Sequence, residues 1–330
     1  MGVKVAINGF GRTGRLALRA AVEKGSPLEF VAVNRGDAAS LGHLLKYDSV
    51  HGRAPFIVEW DEENIYVDGK PVRVLYESDA EKLPWRELGV EIVIEASDQY
   101  RSKEAASKHL KAGAEKVLVA APGKNMDCTV VLGVNEDVYD RERHSVVSNA
   151  SCTTNCLATV AKVLHDGYGI ESGYMSTIHA YTNTQTLLDK RTKDLRRARA
   201  GALSIIPTST GASKAIGEVM PELEGRLDGM AFRVPTPNVS LVDLVVNLER
   251  RASVDEINAS FRASSEGAMK GIMGYSEEPL VSVDYVHSPY SSVVDTLETR
   301  VNGRMAKVLA WYDNEWGYCC RLVDVAEMML

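Results

Sequence analysis

The segment Ser148-Asn149-Ala150-Ser151-Cys152-Thr153-Thr154-Asn155-Cys156 sets a thiol among small hydroxyl and amide side chains, directly before the apolar run Leu157-Ala158-Thr159-Val160-Ala161-Lys162-Val163-Leu164. The spacing of that run fits a helix and predicts Cys152 at its N-terminus. Unpaired amides and the positive end of the helix dipole favour a thiolate there, and the same amides can later hold an oxyanion. A cysteine nucleophile needs a base. His179, one of seven histidines, ends the strand-like Tyr174-Met175-Ser176-Thr177-Ile178-His179-Ala180-Tyr181 just before a polar loop. A thiolate paired with an imidazolium attacks an aldehyde; loss of hydride from the hemithioacetal to a nicotinamide, with the histidine as base, leaves a thioester. An acceptor must then discharge that thioester. Hydroxyl groups at Ser151, Thr153 and Thr210-Gly211 and guanidinium groups at Arg197 and Arg233 suit phosphate. Against this stands the plainer reading, in which a buried cysteine under a Ser/Thr cap is inert and each arginine is a surface ion pair.

The elements that would position these groups decide between the two readings. Val3-Lys4-Val5-Ala6-Ile7 reads as a strand, Gly9-Phe10-Gly11-Arg12-Thr13-Gly14 as a turn, Leu16 to Lys24 as a helix and Phe30-Val31-Ala32-Val33 as a second strand. This is GxGxxG in its strand-turn-helix-strand setting, with glycines that let the backbone approach a pyrophosphate at a helix N-terminus. At the end of the second strand, where a carboxylate would accept from the ribose hydroxyls of NAD, stands Arg35, which suits the 2′-phosphate of NADP instead. Asp37 is the alternative ribose ligand, with Arg35 then an exposed turn residue. Further strands at 90–96, 116–121 and 145–147 alternate with a helix at 103–112, implying a mainly parallel, doubly wound sheet with Ser97, Ala120 and the cysteine loop on its ligand side. Beyond Cys152 the pattern changes to long alternating stretches at 174–181, 230–234, 239–248, 291–301 and 305–312. Asn302-Gly303 is a hairpin turn between the last two, and helices are expected at 211–220 and 254–265. The polar, basic stretch from Thr182 to Ile206 is longer than a compact domain tolerates unless it is functional or buried in an oligomer interface.

The chain has 330 residues, 45% of them hydrophobic, enough for two domains with cores of their own. Five cysteines in no paired pattern argue for a reducing compartment, and neither Cys152/Cys156 nor Cys319-Cys320 has zinc-site spacing. The net charge of -7 gives no basic footprint for nucleic acid. No stretch reads as a signal peptide or a membrane span, so a cytoplasmic protein without membrane or nucleic-acid partners is expected.

Along essentially its whole length the chain resembles the phosphorylating glyceraldehyde-3-phosphate dehydrogenases. The resemblance rests on Ile7-Asn8-Gly9-Phe10-Gly11-Arg12, Ala150-Ser151-Cys152-Thr153-Thr154-Asn155-Cys156, His179-Ala180-Tyr181-Thr182 and Asp194-Leu195-Arg196-Arg197-Ala198-Arg199. It rests also on Phe232-Arg233-Val234-Pro235-Thr236-Pro237-Asn238-Val239 and Trp311-Tyr312-Asp313-Asn314-Glu315-Trp316-Gly317-Tyr318. It implies an α/β chain: an N-terminal Rossmann-type doubly wound parallel sheet over 1–150, completed by a C-terminal helix at 315–330, and an α+β catalytic domain with a mainly antiparallel sheet over 151–314. Cys152 would be the nucleophile and His179 its activator and acid/base. Thr182 and Arg233 would hold the phosphate of glyceraldehyde 3-phosphate, Ser151, Thr153, Thr210 and Gly211 the attacking inorganic phosphate, and Arg197 would border both sites. Cofactor contacts would fall at Gly9, Gly11, Arg12, Thr13, Gly14, Asn34, Arg35, Ser97, Ala120, Asn183, Lys190, Arg191, Asn314 and Tyr318, with Asn314 orienting the nicotinamide carboxamide. The resemblance further implies a homotetramer in which Thr182 to Ile206 forms an S-shaped loop against a neighbour's cofactor.

Several positions depart from the pattern. NAD-using members of the family usually carry Asp where this chain has Arg35 and Leu-Pro where it has Lys190-Arg191. Both changes favour NADP, with dual use of NAD as the alternative because Gly36-Asp37 leaves a carboxylate nearby. Ala120 replaces a serine near the nicotinamide ribose, Ser78 an arginine near the adenine, and Ser97-Asp98 a Thr-Gly. Two other functions compete: an erythrose-4-phosphate dehydrogenase that hands the thioester to water, and a non-catalytic regulatory or RNA-binding relative. Retention of Thr182 and Thr210-Gly211 argues against the first, and intact Cys152, His179, Arg233 and Asn314 against the second. The direction of flux, glycolytic or biosynthetic, stays open, as do roles for Cys156, Cys319 and Cys320.

Overall fold

The computed structural model describes residues 2–329. The chain divides into one unit of Met1–Val130, Glu136–Ala150 and Cys319–Leu330 and a second of Val131–Asn135 and Ser151–Tyr318.

The first unit is built on strands β1 (Lys4–Asn8), β2 (Glu29–Asn34), β5 (Val58–Trp60), β6 (Asn64–Val67), β7 (Lys70–Leu75), β8 (Ile92–Glu95), β9 (Lys116–Val119), β10 (Cys128–Thr129) and β11 (Val146–Ser148), while β3 (Tyr47–Asp48) and β4 (Gly52–Arg53) form a separate pair. The sheet order is β10-β11-β9-β8-β1-β2-β7-β6-β5. Every pairing is parallel except the edge hairpins β5/β6 and β6/β7, the second of which turns at Asp68-Gly69. Helices α1 (Arg12–Lys24), α2 (Ala38–Lys46), α3 (Trp85–Leu88) and α4 (Lys103–Lys111) follow their strands. The central strands are apolar on both faces, as a covered parallel sheet requires. Strand order reverses around β1, so the carboxyl ends of β1, β2 and β8 line the crevice where such sheets bind ligands. The α2 helix buries the stripe Ala38, Leu41, Gly42 and Leu45, and Asp37 starts it by accepting from the Ser40 N–H at 2.8 Å.

The second unit carries β12 (Ile170–Ala180), β13 (Ile206–Ser209), β14 (Leu227–Val234), β15 (Ser240–Leu248), β16 (Met273–Ser276), β17 (Ser292–Asn302) and β18 (Met305–Tyr312) in the order β13-β14-β12-β15-β18-β17-β16. Only the β12/β14 and β16/β17 pairings are parallel. Against this sheet packs α5 (Cys152–Tyr168), flanked by α6 (Ala212–Val219) and α7 (Val254–Glu266). The last helix, α8 (Trp316–Met328), starts in this unit and continues from Cys319 into the first. In the first unit Lys24 reaches Asp324 and Glu327 on that helix. Among the described residues no helix is long and apolar enough to cross a membrane, and no group of three or more His, Cys, Asp or Glu could hold a metal ion.

Candidate functional site

Ser151 is the N-cap of α5: its side chain accepts from the Thr154 N–H at 3.0 Å, so Cys152 is the first helical residue. Ala150 enters the turn with φ of 54°, a left-handed conformation uncommon for a residue with a Cβ. The helix is buried along most of its length, which fixes the direction in which its N-terminus points. The next element, β12, alternates so that Met175, Thr177 and His179 face inward and His179 arrives at the strand's end. His179 Nε2 then lies 3.6 Å from Cys152 Sγ.

On the parallel neighbour β14, Arg233 sits in register with His179. Arg233 Nη1 is 2.8 Å from His179 Nδ1 and donates to the Ala180 carbonyl at 2.9 Å, while Nδ1 itself lies 2.7 Å from that carbonyl. Nδ1 can hold a proton for Ala180 or a lone pair for Arg233, and not both at once. The Nε of Arg233 is buried with no hydrogen-bond partner among the described residues, which suits an anion. Arg197 is steered by Thr208, whose hydroxyl accepts from Arg197 Nε at 2.8 Å and donates to Asp194 at 3.0 Å.

Burial dominates the titration of this pair. It pushes the Cys152 thiol up, against the lowering effects of the Arg233 charge and of hydrogen bonds from the Thr153 hydroxyl and main-chain N–H. Burial, then the charges of Arg233 and Arg197, pull His179 down to about 3, opposed by its bond to Ala180. The ligand-free pair is therefore neutral thiol and neutral imidazole rather than the ion pair that the helix N-terminus alone would favour. For His179 the Arg233 and Arg197 charges are part of the reason, and an anion bound at either would offset that contribution.

Tyr312 completes the floor of the site. Its hydroxyl lies 2.9 Å from both Thr153 Oγ1 and Thr177 Oγ1, and its ring meets His179 edge-on with centroids 6.0 Å apart. Cys156 is fully buried, its thiol pushed well up by burial and then by Cys152. Thr210 accepts from the Ala212 N–H at 3.2 Å, and Gly211 is the N-cap of α6, where an added Cβ would meet nothing within 4 Å. Thr182 follows β12 with its hydroxyl 2.8 Å from that of Thr184. No hydrogen bond among the described residues joins Thr182, Thr210 or Gly211 directly to Cys152 or His179. Asn314 presents a half-engaged amide, its Oδ1 accepting from Ser240 at 2.7 Å.

In the first unit Gly9 has φ of +97°, and a Cβ there would come within 2.5 Å of the Ser97 nitrogen. A Cβ on Gly14 would stand 2.3 Å from the Gly9 carbonyl, whereas one on Gly11 would meet nothing within 4 Å. Gly11 is the N-cap of α1, with no side-chain cap and no acidic residue in the first turn. That open, positively polarised helix start fits a pyrophosphate. Arg12 is turned to Asp48 in a two-pronged ion pair, at 3.0 and 3.2 Å. The backbone carbonyl of Thr13 accepts from the Cys319 thiol. Asn34 uses its amide on Asn8 and on both main-chain groups of Glu77. Arg35, at φ of 87°, reaches Gln99 at 2.6 Å and the Ser78 carbonyl at 3.1 Å, while its buried Nε has no hydrogen-bond partner among the described residues. Ser97 donates to Glu95, and Ala120 is tied by its main-chain N–H to the Glu95 carbonyl. In the second unit Asn183, Lys190 and Arg191 are exposed, and Tyr318 is buried at the start of α8.

A profile described as glyceraldehyde 3-phosphate dehydrogenase, C-terminal domain, matches residues 151–314, and one described as glyceraldehyde 3-phosphate dehydrogenase, NAD binding domain, matches residues 3–103. A glyceraldehyde-3-phosphate dehydrogenase of Geobacillus stearothermophilus is 58% identical over 328 residues, covering 99% of this chain and 98% of its own length. The chain belongs to the glyceraldehyde-3-phosphate dehydrogenase family. Glyceraldehyde-3-phosphate dehydrogenase 2 of Bacillus subtilis is 54% identical over 327 residues, covering 98% of this chain and 96% of its own, and glyceraldehyde-3-phosphate dehydrogenase 1 of Bacillus cereus is 55% identical over 328 residues, at 99% and 98%.

Several supporting groups in this chain escape a reading of the sequence. Thr208 steers Arg197, Ser240 holds Asn314, and Tyr312 backs Thr153; each acts on a partner at least 11 residues away in the chain. Glu95 had a visible signal, an acid inside an otherwise apolar strand. It is buried and accepts from Asn8, His109 and both the N–H and O–H of Ser97.

Proposed function

We propose that the chain oxidises glyceraldehyde 3-phosphate with inorganic phosphate to 1,3-bisphosphoglycerate through a thioester on Cys152, using NADP in preference to NAD. The observation that carries this is Cys152 Sγ at a helix start, 3.6 Å from His179 Nε2, with the anion-seeking Arg233 beside the same histidine. When His179 donates Nδ1–H to the Ala180 carbonyl, the Nε2 lone pair faces sulfur and takes the thiol proton. The thiolate attacks the aldehyde carbon, forming a C–S bond, and the new oxyanion is met by the main-chain amides that begin α5. His179 then holds the proton of the hemithioacetal hydroxyl as the carbon is oxidised. A nicotinamide dinucleotide bound to the first unit supplies the two-electron acceptor for that oxidation. Phosphate oxygen displaces sulfur, giving the acyl phosphate and returning the Cys152 thiolate. Arg233 and Thr182 hold the substrate phosphate, Ser151, Thr153, Thr210 and Gly211 the attacking one, and Arg197 borders both.

NADP preference is supported by Arg35 and by Asp37, whose carboxylate caps α2. Lys190 and Arg191 add two exposed side chains that make no ion pair among the described residues. The exposed Leu187, Leu188, Leu195, Leu203 and Ile205 of the S-shaped loop support an oligomer, proposed to be a homotetramer. Steady-state kinetics with NAD and NADP side by side test the proposal, with acyl phosphate measured as product. NADP is expected to give the higher kcat/KM, and Arg35→Asp to raise the KM for NADP about tenfold or more. Equal or better efficiency with NAD would overturn the cofactor preference, and turnover independent of added phosphate would overturn the acceptor. Cys152→Ser is expected to lose at least about 10³-fold in turnover.

A further inference from the structure

Asn314 is read above as the group facing the nicotinamide carboxamide, and the present inference rests on that reading. An asparagine can offer a carbonyl or an N–H, so something must decide which end is turned outward. Ser240, the first residue of β15, is 1% exposed and lies between two partners. The Ala180 N–H, which can only donate, gives its proton to Ser240 Oγ at 3.1 Å. The serine's own proton then goes to Asn314 Oδ1, 2.7 Å away. Asn314 Nδ2 makes no hydrogen bond among the described residues. Turning the amide over would let Nδ2 donate to Oγ, but it would strand the buried serine hydroxyl without an acceptor, a loss the present arrangement avoids.

The surroundings hold this arrangement still. Asn238 Nδ2 donates to Asp313 Oδ2 at 2.8 Å, so the pairs 238–313 and 240–314 form two side-chain rungs beside the Ser240–Tyr312 pairing that ends the β15/β18 ladder. Asp313 Oδ1 accepts from the N–H groups of Glu315 and Trp316, at 2.9 and 2.7 Å, which fixes the chain just after Asn314. Between the rungs Val239 is buried with φ of 65°, a conformation foreign to a β-branched residue and kept only where the fold over-determines it. The other partner, Ala180, follows His179 and receives its Nδ1 contact.

We propose that Ser240 is the positioning residue that keeps the N–H of Asn314, rather than its carbonyl, available to a ligand, so that a carboxamide bound there is recognised through its carbonyl oxygen. Ser240 also fixes that donor to the same strand end that carries His179. A ligand that keeps the carbonyl but loses the amino group should satisfy the site, and loss of the serine hydroxyl should weaken every ligand that uses Asn314.

The test is equilibrium binding, read by quenching of tryptophan fluorescence, of NADP, NAD and the 3-acetylpyridine analogue of the preferred dinucleotide. It uses the full chain and the variants Ser240→Ala, Ser240→Thr, Asn314→Ala and Ser240→Ala/Asn314→Ala. The unmodified chain is expected to bind the acetyl analogue within about threefold of its parent, and Ser240→Ala to weaken both about tenfold. Ser240→Thr, which keeps the hydroxyl, should stay within about threefold. On the Asn314→Ala background the serine substitution should cost nothing further, because its effect passes through Asn314. Equal weakening on both backgrounds, no weakening at all, or rejection of the acetyl analogue by the unmodified chain would each overturn the proposal. If Ser240→Ala does not fold, Ser240→Cys, a weaker donor, carries the same cycle with the same deciding outcome. Failure of the unmodified chain to bind any of the dinucleotides would instead overturn the function proposed above, a result separate from the behaviour of the serine variants.

Discussion

The imidazole of His179 is kept neutral by burial first and by the Arg233 and Arg197 charges after it, with its pKa at about 3. An unfolded histidine takes up a proton near pH 6.5. Between those two values the unfolded chain binds a proton that the folded chain refuses, so stability present above about pH 6.5 is lost progressively as the pH falls toward 3. Denaturant titrations from about pH 7 to about pH 4.5 are expected to show this slope, and His179→Asn to remove part of it. Inorganic phosphate offsets the same guanidinium charges and should flatten it; slopes that ignore both changes would contradict the assignment. The Cys152–His179 pairing could be anticipated from residue types and from their places at a helix start and a strand end. The neutral state of the pair could not, because it depends on how deeply both groups are buried and on an arginine from another strand.

At the scale of elements, alternation with period two and the Gly-rich turn make most strands and the first helix readable, and Asn302-Gly303 does connect β17 to β18. The α2 helix was hidden because it is only nine residues long and its buried stripe, Ala38, Leu41, Gly42 and Leu45, includes just two large apolar side chains. Equally hidden was the polar thread beneath the carboxyl ends of β1, β2 and β8. There Trp85 Nε1 donates to His109 Nδ1 at 3.0 Å, which leaves His109 Nε2 to donate to Glu95 Oε2 at 2.9 Å. Asn8 donates to the same oxygen and accepts from Asn34. Each of these bonds spans at least 14 residues, a separation that local pattern does not report. Glu95→Gln would set an amide N–H against donors on one side or the other, and is expected to destabilise the fold by roughly 2–4 kcal/mol. Urea unfolding measures it; a change below about 0.5 kcal/mol would mean that the thread carries little of the unit's stability.

On the scale of the whole molecule, the long polar stretch after β12 folds back on itself. The Thr186–Ala200 bridge and the Asp189–Arg199 ion pair at 2.8 Å close it, while Leu187 and Leu203 stay 84% and 81% exposed. Exposed leucines at such density call for a covering surface, and the proposed homotetramer supplies one. Leu187→Asp with Leu203→Asp is expected to shift sedimentation toward smaller species and to lower the unfolding temperature, most strongly in dilute solution. Unchanged mass at all concentrations would argue against an interface at this loop. The sequence marked the stretch by its length and composition. The excursion of Val131–Asn135 into the second unit left no such mark, since a five-residue segment carries no period.

Ala150 and Val239 are two places where local preference and global fold disagree, and each lies within two residues of a group assigned to the chemistry. Such local frustration implies that the chain is not at its stability optimum beside its own active groups. Ala150→Gly is expected to raise resistance to urea by up to about 1 kcal/mol, since glycine accepts the left-handed conformation without penalty. If the same change slows turnover, the alanine will have been kept for the rigidity it imposes on the approach to Cys152.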